Sequence, residues 1–365
     1  MKNKIKEKNL TVLSNFRRQL TEKPILRQLF FELTDSCNMA CLHCGSKASP
    51  KNKSFLPFEG VNKVLESVAS HYEAKKIMVC LTGGEPMLHP DFYRIVSRVK
   101  ELGFKCGITT NGFLIDGDTA RKMFECGIQS VGISIDGTEE LHDWFRNTKG
   151  AYRRAFDAVR HLAAAGDGAI SLQVTTVVHK KNIETLDEIY AEVLRMGCDS
   201  WRIINIDPIG RALTHPELLL DGDDIRYILN YIKQKRTELE NPIHVTYGCA
   251  HYLGEEFERE VRDYFFMCGS GIFVGSVLSN GDIYSCLDIE RRAELVQGNI
   301  AKDDFCDVWE NRFKAFRRDR TEDCADCIGC EERRFCMGDA AHTWNYNEKK
   351  PYICYKKIIQ KGEKL

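Results

Sequence analysis

Between residues 29 and 206, short apolar segments alternate with segments that carry apolar residues at a helical period. The apolar segments have the length of buried strands, and the segments between them are amphipathic. The predicted strands cover residues 29–33, 76–82, 105–110, 130–135, 169–178 and 200–206, and the predicted helices cover residues 57–72, 91–102, 118–126, 151–165 and 183–196. Such alternation, with short turns and right-handed crossovers, is typical of a parallel sheet that curves into a barrel. The sequence therefore predicts an α/β fold, a partial (β/α)6 barrel similar in plan to a TIM barrel.

Unusual turns follow the predicted strands, each at the carboxyl end of its strand. They are a cysteine-containing loop after the first strand and the turns at residues 83–86 (GGEP), 109–112 (TTNG), 134–137 (SIDG) and 206–208 (IDP). Glycine in a single turn is weak evidence, because connections after helices use it routinely. The carboxyl ends of strands in a parallel barrel share one face, however, so we expect all five segments to form one site. In GGEP, the glycines would also let the backbone approach a ligand closely.

The loop after the first strand holds Cys37, Cys41 and Cys44 in the spacing C-x3-C-x2-C. Three thiols this close together can hold one iron–sulfur cluster and leave one iron for another ligand. Zinc is an alternative, although structural zinc sites are closed by four ligands. Three unrelated core cysteines are a second alternative.

Seven more thiols lie near the carboxyl end of the chain, and together they exceed what one tetrahedral metal can use. They are Cys268, Cys286, Cys324, Cys327, Cys330, Cys336 and Cys354. The first two bracket a hairpin pattern with Asn280-Gly281, which is a strong signal for a two-residue turn. The sequence predicts two metal centres here, or one centre with spare thiols.

The bulk properties indicate a cytoplasmic metalloprotein. Sixteen cysteines would indicate disulfides in a small secreted protein, but this amino terminus lacks the apolar segment of a signal peptide. We expect no transmembrane helix, because no run of about 18 apolar residues occurs. Lysine plus arginine (52) balances aspartate plus glutamate (53), which predicts no general affinity for nucleic acid or an anionic membrane. Cys80, Cys106, Cys126 and Cys198 are expected to be small core residues, with Cys249 as a reserve metal ligand.

The cysteine loop resembles the signature of radical S-adenosylmethionine (SAM) enzymes. The resemblance implies that its three cysteines hold a [4Fe-4S] cluster whose fourth iron binds the amine and carboxylate of SAM. It extends over the turns of the same barrel face and implies a SAM site formed by His43, Gly83, Gly84, Glu85, Thr110, Asn111, Ser134, Asp136, Arg146 and Ile206. Arg146 would pair with the methionyl carboxylate of SAM. The alternative for Arg146 is a surface charge on a helix, since most arginines are surface residues.

The carboxyl-terminal cysteines resemble the SPASM extension of radical SAM proteins, which carries two auxiliary [4Fe-4S] clusters. The resemblance assigns Cys327, Cys330, Cys336 and Cys354 to an outer cluster, and Cys268, Cys286 and Cys324 to an inner cluster. Ala340 stands where the family has a further cysteine, so the fourth ligand of the inner cluster is unassigned. Asp339 or Cys249 could supply it, or the cluster could be open to a substrate heteroatom.

The resemblance implies that SAM is cleaved reductively and that the resulting 5′-deoxyadenosyl radical abstracts a substrate hydrogen atom. SPASM proteins act mostly on peptides, so we expect peptide maturation: a thioether or carbon–carbon crosslink, an epimerisation or an oxidation. A flavodoxin or ferredoxin would be the reductant. Sulfatase-type maturation is an alternative, but Leu287 stands where that branch has its aspartate base, and Asp288, a weak candidate for the catalytic acid or base, follows one position later. Maturation of a tetrapyrrole or other small molecule is a third possibility, and a non-enzymatic electron carrier is a fourth, although a carrier has no use for a SAM site.

The predicted organisation has five parts. A short helix or irregular lead-in covers residues 1–26, and the radical SAM partial barrel covers residues 27–211. A helical bridge over residues 212–265 leads to the small cysteine-rich SPASM domain over residues 266–356 and a tail over residues 357–365.

Overall fold

The computed structural model describes residues 2–238, 241–254, 256–264 and 267–361. Within these residues, ten strands form one sheet and two form a small hairpin. The strands are β1 (Gln28–Glu32), β2 (Met78–Thr82), β3 (Lys105–Thr110), β4 (Ser130–Ser134), β5 (Ser171–Val178), β6 (Ser200–Asn205), β7 (His244–Tyr247), β8 (Val274–Val277), β9 (Asp282–Tyr284), β10 (Gly298–Asn299), β11 (Trp344–Asn345) and β12 (Lys350–Pro351). The helices are α1 (Lys2–Glu22), α2 (Phe58–His71), α3 (Phe92–Glu101), α4 (Gly117–Cys126), α5 (Glu139–Phe145), α6 (Ala151–Gly166), α7 (Leu186–Met196), α8 (Gly222–Thr237), α9 (Phe305–Asn311), α10 (Lys314–Arg317), α11 (Arg333–Cys336) and α12 (Tyr355–Lys361). None of the described helices combines the length and the apolar composition that a bilayer span requires.

Strands β1 to β7 lie side by side in chain order, and each pairs in parallel with the next. Helices α2, α3, α4, α6 and α7 lie in the connections between β1 and β6, so the predicted α/β partial barrel is confirmed. Its core is formed by the inner faces of the strands and by the apolar faces of the helices. In α2, for example, the predicted apolar positions Val61, Val64, Leu65 and Val68 are all buried.

The segment 212–265, predicted to be a helical bridge, is helical mainly in α8. The prediction was wrong for two described parts of the remainder: β7 continues the barrel sheet, and residues 256–264 form turns and bends. The alternation in β7, where Val245 and Tyr247 are buried and their neighbours are not, is the period of a strand. Helix α5, which the sequence analysis did not predict, lies between β4 and α6.

The sheet continues from the barrel into the cysteine-rich region. Strand β8 pairs in parallel with β1, with Gln28 opposite Val274, and then turns back into β9. The turn includes Gly281 with a φ of 87°, a backbone conformation that favours glycine and that the Asn-Gly pair predicted. The two predicted domains therefore share a continuous sheet.

The first helix, α1, is longer than the short lead-in that was predicted. Its buried residues Leu10, Ser14, Arg17 and Leu20 recur at the spacing of one helical face. The Ser14 hydroxyl donates a hydrogen bond to the Arg334 carbonyl in α11, at 2.6 Å. Helix α1 thus packs against the cysteine-rich region at the other end of the chain.

Glu32, the last residue of β1, connects the barrel to the carboxyl-terminal region by an ion pair. Arg291 donates to both Glu32 carboxylate oxygens, at 3.0 and 2.7 Å, and the Ser279 N–H donates at 3.0 Å. Burial alone would raise the pKa of Glu32, but the hydrogen bond and the charge of Arg291 hold it below its ordinary value. The carboxylate is therefore ionised at neutral pH.

Replacing Arg291 with alanine would leave the buried Glu32 carboxylate without its cation. A fully buried pair broken in this way costs about 3–5 kcal/mol, and we expect about 2 kcal/mol here because solvent screens the exposed part of Arg291. The Arg291 side chain is 39% exposed. Chemical denaturation at pH 7 measures the loss, with Arg121→Ala, which breaks a surface pair with Asp118, as the control. The pair lowers the pKa of Glu32 in the folded protein, so the difference in the free energy of unfolding between wild type and Arg291→Ala should shrink as the pH falls through that pKa. Equal free energies of unfolding at pH 7 would contradict the role of the pair.

Candidate active site

The cysteine loop follows β1 at the carboxyl face of the barrel, and the structure brings its three thiols together. Cys37 and Cys41 belong to one small buried group with Met39 and Ala48, and Cys44 packs against it. Burial, with smaller contributions from the other two thiols, raises the pKa of Cys37 to about 12. Burial likewise raises the pKa of Cys41. Thiolates at these two positions are thus unfavourable without a cation, and a bound metal reverses that preference. The donor set therefore fits a metal centre.

The GGEP turn after β2 packs directly against the cysteine loop. The Gly84 N–H donates to the Thr34 carbonyl at 2.7 Å, and the Glu85 N–H donates to the Ser36 carbonyl at 2.9 Å. A Cβ on Gly83 would lie 2.4 Å from the Thr34 carbonyl oxygen, and one on Gly84 would lie 2.2 Å from that of Ser36. Gly83 and Gly84 are therefore required because the backbone of this turn lies so close to the cysteine loop.

Glu85 is fully buried and connects the turn after β2 to the turn after β3. Its carboxylate accepts hydrogen bonds from the Thr110 hydroxyl at 2.9 and 3.0 Å, from the Asn111 N–H at 2.9 Å and from the Met87 N–H at 3.2 Å. Burial raises the pKa of Glu85 to about 7, although these hydrogen bonds oppose the rise. Its described contacts make Glu85 a brace between turns.

Asn111 extends this brace to the cysteines. Its side-chain amide nitrogen donates to Oδ1 of the Asn38 side chain at 2.7 Å and lies 3.9 Å from the Cys37 sulfur. The turns after β1, β2 and β3 therefore form one hydrogen-bonded unit around the thiols.

Arg146, at the end of α5, is buried and paired with Asp136. Its Nε and Nη2 atoms each lie 2.5 Å from Asp136 Oδ2, while Nη1 lies 3.8 Å from the Cys41 sulfur. The other Asp136 oxygen accepts from the Val177 N–H at 2.8 Å. Burial raises the pKa of Asp136, and the adjacent guanidinium opposes that rise. The interpretation of Arg146 as a surface charge is wrong, and the structure places a fixed cation beside the cysteines.

An aromatic stack borders the same site. The His43 ring lies 4.3 Å from that of Phe145, which lies 4.2 Å from that of His179. Burial lowers the pKa of His43 well below its ordinary value and that of His179 to about 3, so both imidazoles are neutral. Within the described residues, His43 Nδ1 and His179 Nε2 are buried without a hydrogen-bond partner. Such atoms suit a ligand that brings its own polar groups.

Ser134 and Ile206 lie at the carboxyl ends of β4 and β6, two strands of the barrel sheet that are separated by β5. Ser134 ends β4 opposite Thr175, and Ile206 follows β6 with its N–H bonded to the Val178 carbonyl at 2.9 Å. Both lie on the carboxyl side of the barrel, as predicted, and their contacts with a ligand remain a prediction.

Arg211 is a site residue that the sequence analysis missed. Its Nε donates to the Cys41 carbonyl at 2.7 Å, its Nη1 donates to the Ala48 carbonyl at 2.9 Å, and its backbone N–H donates to the Cys44 carbonyl at 3.1 Å. Gly210 has a φ of 58°, and a Cβ there would lie 2.3 Å from the Cys44 carbonyl oxygen. The available signal was the Gly-Arg pair just after the IDP turn.

The carboxyl-terminal cysteines form interacting groups. Cys286 interacts electrostatically with Cys268. Cys327 interacts with Cys324, Cys330 and Cys354, and Cys336 interacts with Cys354 and Asp339. The structure thus brings Cys324, which was assigned to the inner cluster, next to Cys327, which was assigned to the outer cluster.

Candidates for the fourth inner ligand are held in different ways. The Asp339 carboxylate accepts from the Tyr252 N–H at 2.7 Å and lies 3.2 Å from His251 Nδ1. Cys249 lies with Asp207 and His251 in a group whose possible ligand atoms are all within 4.8 Å of one another. Asp288 is exposed and its carboxylate lies 4.0 Å from the Cys286 sulfur.

Asp207, in the turn after β6, is at the centre of a buried polar network. Its Oδ1 accepts from Asn205 at 2.9 Å and from the Tyr355 hydroxyl at 2.9 Å, and lies 3.2 Å from His251 Nε2. Its Oδ2 lies 3.1 Å from His342 Nε2. Burial would raise the pKa of Asp207, but the two imidazoles hold it well below its ordinary range.

Two parts of the chain match known protein domains. Residues 31–193 match the radical SAM superfamily, and residues 268–331 match the SPASM iron–sulfur cluster-binding domain. The first match includes the cysteine loop and the turns at residues 83–86, 109–112 and 134–137. The second match includes five of the seven carboxyl-terminal cysteines: Cys268, Cys286, Cys324, Cys327 and Cys330.

Similar proteins cover nearly the whole chain. An AdoMet-dependent heme synthase of Nitratidesulfovibrio vulgaris is 27% identical over 91% of this chain and 93% of its own length. The mycofactocin maturase MftC of Mycobacterium tuberculosis is 28% identical over 90% of this chain and 80% of its own length. Among solved structures, Streptococcus suis SuiB bound to S-adenosylmethionine has the same fold, with a TM-score of 0.73, 18% identity, and coverage of 92% of this chain and 78% of SuiB.

Arg211→Ala removes two side-chain hydrogen bonds that hold the carbonyls of the cysteine loop. Partners of this kind typically change metal affinity by about 10–100-fold, so we expect roughly tenfold weaker retention of iron at this loop. Iron per chain after timed exposure to a chelator is the measurement. Arg195→Ala is the control, because Arg195 is exposed and pairs only with Glu192 among the contacts described. Equal iron loss in wild type and Arg211→Ala would contradict the proposed role of Arg211 in holding the cysteine loop.

Proposed function

Because the chain belongs to the radical SAM superfamily and carries a SPASM domain, we propose that it is a peptide maturase. It is an enzyme with iron–sulfur clusters and SAM as cofactors. The proposed substrate is a peptide or small protein from which a hydrogen atom is removed. The proposed reductant is a flavodoxin or ferredoxin.

One observation carries the proposal: a fixed cation lies beside three grouped thiols. Arg146 is oriented by Asp136 through two of its nitrogens, while the third, Nη1, lies 3.8 Å from the Cys41 sulfur. An anionic group of a ligand bound at the thiols would therefore meet a preformed positive charge. An electron carrier would not require such an arrangement.

The residues of the cysteine loop fit the cofactors. Cys37, Cys41 and Cys44 would hold the cluster, and Arg146 would bind the carboxylate of SAM. When bound, the cluster supplies the electron that cleaves SAM to the 5′-deoxyadenosyl radical. Around it, Glu85 keeps two turns in place.

The buried ring stack would form an apolar wall of the SAM site. The rings of His43, Phe145 and His179 exclude water. The Nδ1 of His179 accepts from the Lys181 N–H, so its buried Nε2 can donate one hydrogen bond to a ligand, and His43 Nδ1 can donate or accept one. A dry wall protects a reactive radical from side reactions.

For the auxiliary domain, we propose that Cys327, Cys330, Cys336 and Cys354 hold the outer cluster, and that Cys268 and Cys286 hold the inner one. Cys324 remains the proposed third ligand of the inner cluster, and it lies next to Cys327 of the outer group. The proposed barrel spans residues 27–211 and the proposed auxiliary domain spans residues 266–356.

The substrate class is supported by the similarity to the mycofactocin maturase, which extends over 90% of the chain. A tetrapyrrole is the second candidate, because the heme synthase of N. vulgaris is as similar and extends over 91% of the chain. Sulfatase-type maturation is less favoured: Leu287 occupies the position after Cys286, and the nearby Asp288 is exposed.

Arg146→Ala should weaken SAM binding because a charge-assisted hydrogen bond to the SAM carboxylate is lost. We expect a loss of about 2 kcal/mol, or roughly 30-fold in Kd, with unchanged iron content. Equilibrium binding of SAM to the reconstituted protein measures this loss. The matched control is Arg153→Ala, an exposed arginine nearby that pairs with Glu139. Wild-type affinity in Arg146→Ala would exclude the proposed contact.

The substrate class can be tested by anaerobic turnover with SAM and reduced flavodoxin. We expect a short peptide encoded beside the gene to stimulate 5′-deoxyadenosine formation and to change in mass, whereas a haem precursor should do neither. The protein with Cys37, Cys41 and Cys44 all changed to alanine is the inactive control. Modification of the haem precursor, with the peptide left unchanged, would replace the peptide proposal with the second candidate.

A further inference from the structure

Helix α1 carries an arginine into the interior of the cysteine-rich domain. Arg17 is only 7% exposed, whereas the next residue, Arg18, is exposed. The helix is fixed in this position by the Ser14 hydroxyl, which donates to the Arg334 carbonyl at 2.6 Å. Arg334 belongs to α11, the helix that ends with Cys336. A residue near the amino terminus thus reaches the carboxyl-terminal thiols.

A second buried arginine lies beside the first. Arg320 is 4% exposed, and its Nη2 donates to the Asp339 carbonyl at 2.8 Å. Arg17 interacts electrostatically with Arg320 and also with Cys268 and Cys336. Both guanidinium groups also act on Cys268, whose sulfur accepts a hydrogen bond from the Ala341 N–H at 3.4 Å.

Two buried cations this close to each other repel, and each loses its hydration. The arrangement is favourable when negative charge lies between them. The Asp319 carboxylate interacts electrostatically with Arg17. It also accepts hydrogen bonds from the Thr321 N–H at 2.9 Å and from the Thr321 hydroxyl at 2.5 Å. An iron–sulfur cluster with thiolate ligands is a larger anion and would lie at the thiols themselves.

We propose that Arg17 and Arg320 form a cationic pair that stabilises the reduced, more negative state of the auxiliary cluster held by Cys268, and that α1 is a functional part of the auxiliary domain. The inference rests on the proposed function, because it requires the auxiliary cluster. Net charge around an iron–sulfur cluster is one of the factors that set its reduction potential. A positive charge favours the state that carries the extra electron, so it raises that potential.

The test uses the full-length, anaerobically reconstituted protein without SAM or substrate. Redox titration followed by electron paramagnetic resonance gives the reduction potential of each cluster. In Arg17→Met, which keeps the length of the side chain and removes the charge, we expect a lower potential for one auxiliary cluster. At a potential that half-reduces the wild-type cluster, the ratio of reduced to oxidised cluster should fall about tenfold, which corresponds to 59 mV for a one-electron couple.

Two further variants separate charge from packing. Arg17→Lys keeps the positive charge and should keep the wild-type potential, and Arg18→Met is the matched control on the exposed side of the same helix. If Arg17→Met does not yield soluble protein, Arg17→Gln provides the same comparison with a polar side chain. An unchanged potential in the neutral variants, or an equal shift in Arg17→Lys, would overturn the proposal.

The two proposals are tested by separate measurements. The cluster at Cys37, Cys41 and Cys44 is monitored separately, through SAM cleavage in the absence of substrate. A wild-type protein that fails to cleave SAM but shows the shift in Arg17→Met would contradict the proposed function and support this inference. A wild-type protein that cleaves SAM but has no auxiliary cluster would contradict this inference and support the proposed SAM chemistry.

Discussion

The arrangement of the two iron–sulfur regions depends on one carboxylate that is only 10% exposed, that of Asp207. Its oxygens hold groups from four parts of the chain: β6, the segment after β7, the cysteine-rich domain and the final helix. Both ring nitrogens of His251 face carboxylates, those of Asp207 and Asp339, so its imidazole is held as a cation. The charges compensate one another inside the protein, where an unpaired charge would cost several kcal/mol. This network fixes how the auxiliary domain sits over the barrel.

Around the cysteine loop, the polar residues of the barrel turns make most of their described hydrogen bonds to other residues of the protein. Glu85 and Asn111 bond to neighbouring turns, and Arg211 bonds to the carbonyls of the loop. A loop with three thiols would otherwise be mobile, since a short irregular segment has few backbone partners of its own. The polar residues that resemble a cofactor site therefore also hold the loop, and with it the three proposed cluster ligands, in place. Arg146 differs from them because one of its nitrogens faces the thiols.

The sequence was sufficient to predict the barrel and its site face, because a period of two or 3.6 residues and the position of a turn are local properties. It also placed Asp136 at the site, as part of the turn at residues 134–137, whereas Arg146 was placed there only through resemblance to a family. Arg17 was missed because nothing in an amphipathic amino-terminal segment indicates which distant surface will cover it. The strand β7 was missed for a related reason: four residues are too short for a reliable period, and the strand is specified by pairing with β6.

The pairing of β1 with β8 has a consequence for biosynthesis. Gln28 emerges from the ribosome long before its partner Val274, by roughly 10–50 seconds at ordinary rates of translation. During that interval one edge of β1, which contains the apolar run Leu29, Phe30 and Phe31, has no strand beside it. Such an edge is a template for pairing with other chains. The cysteine-rich domain thus also completes the barrel, and a nascent or truncated chain without it would expose an aggregation-prone strand.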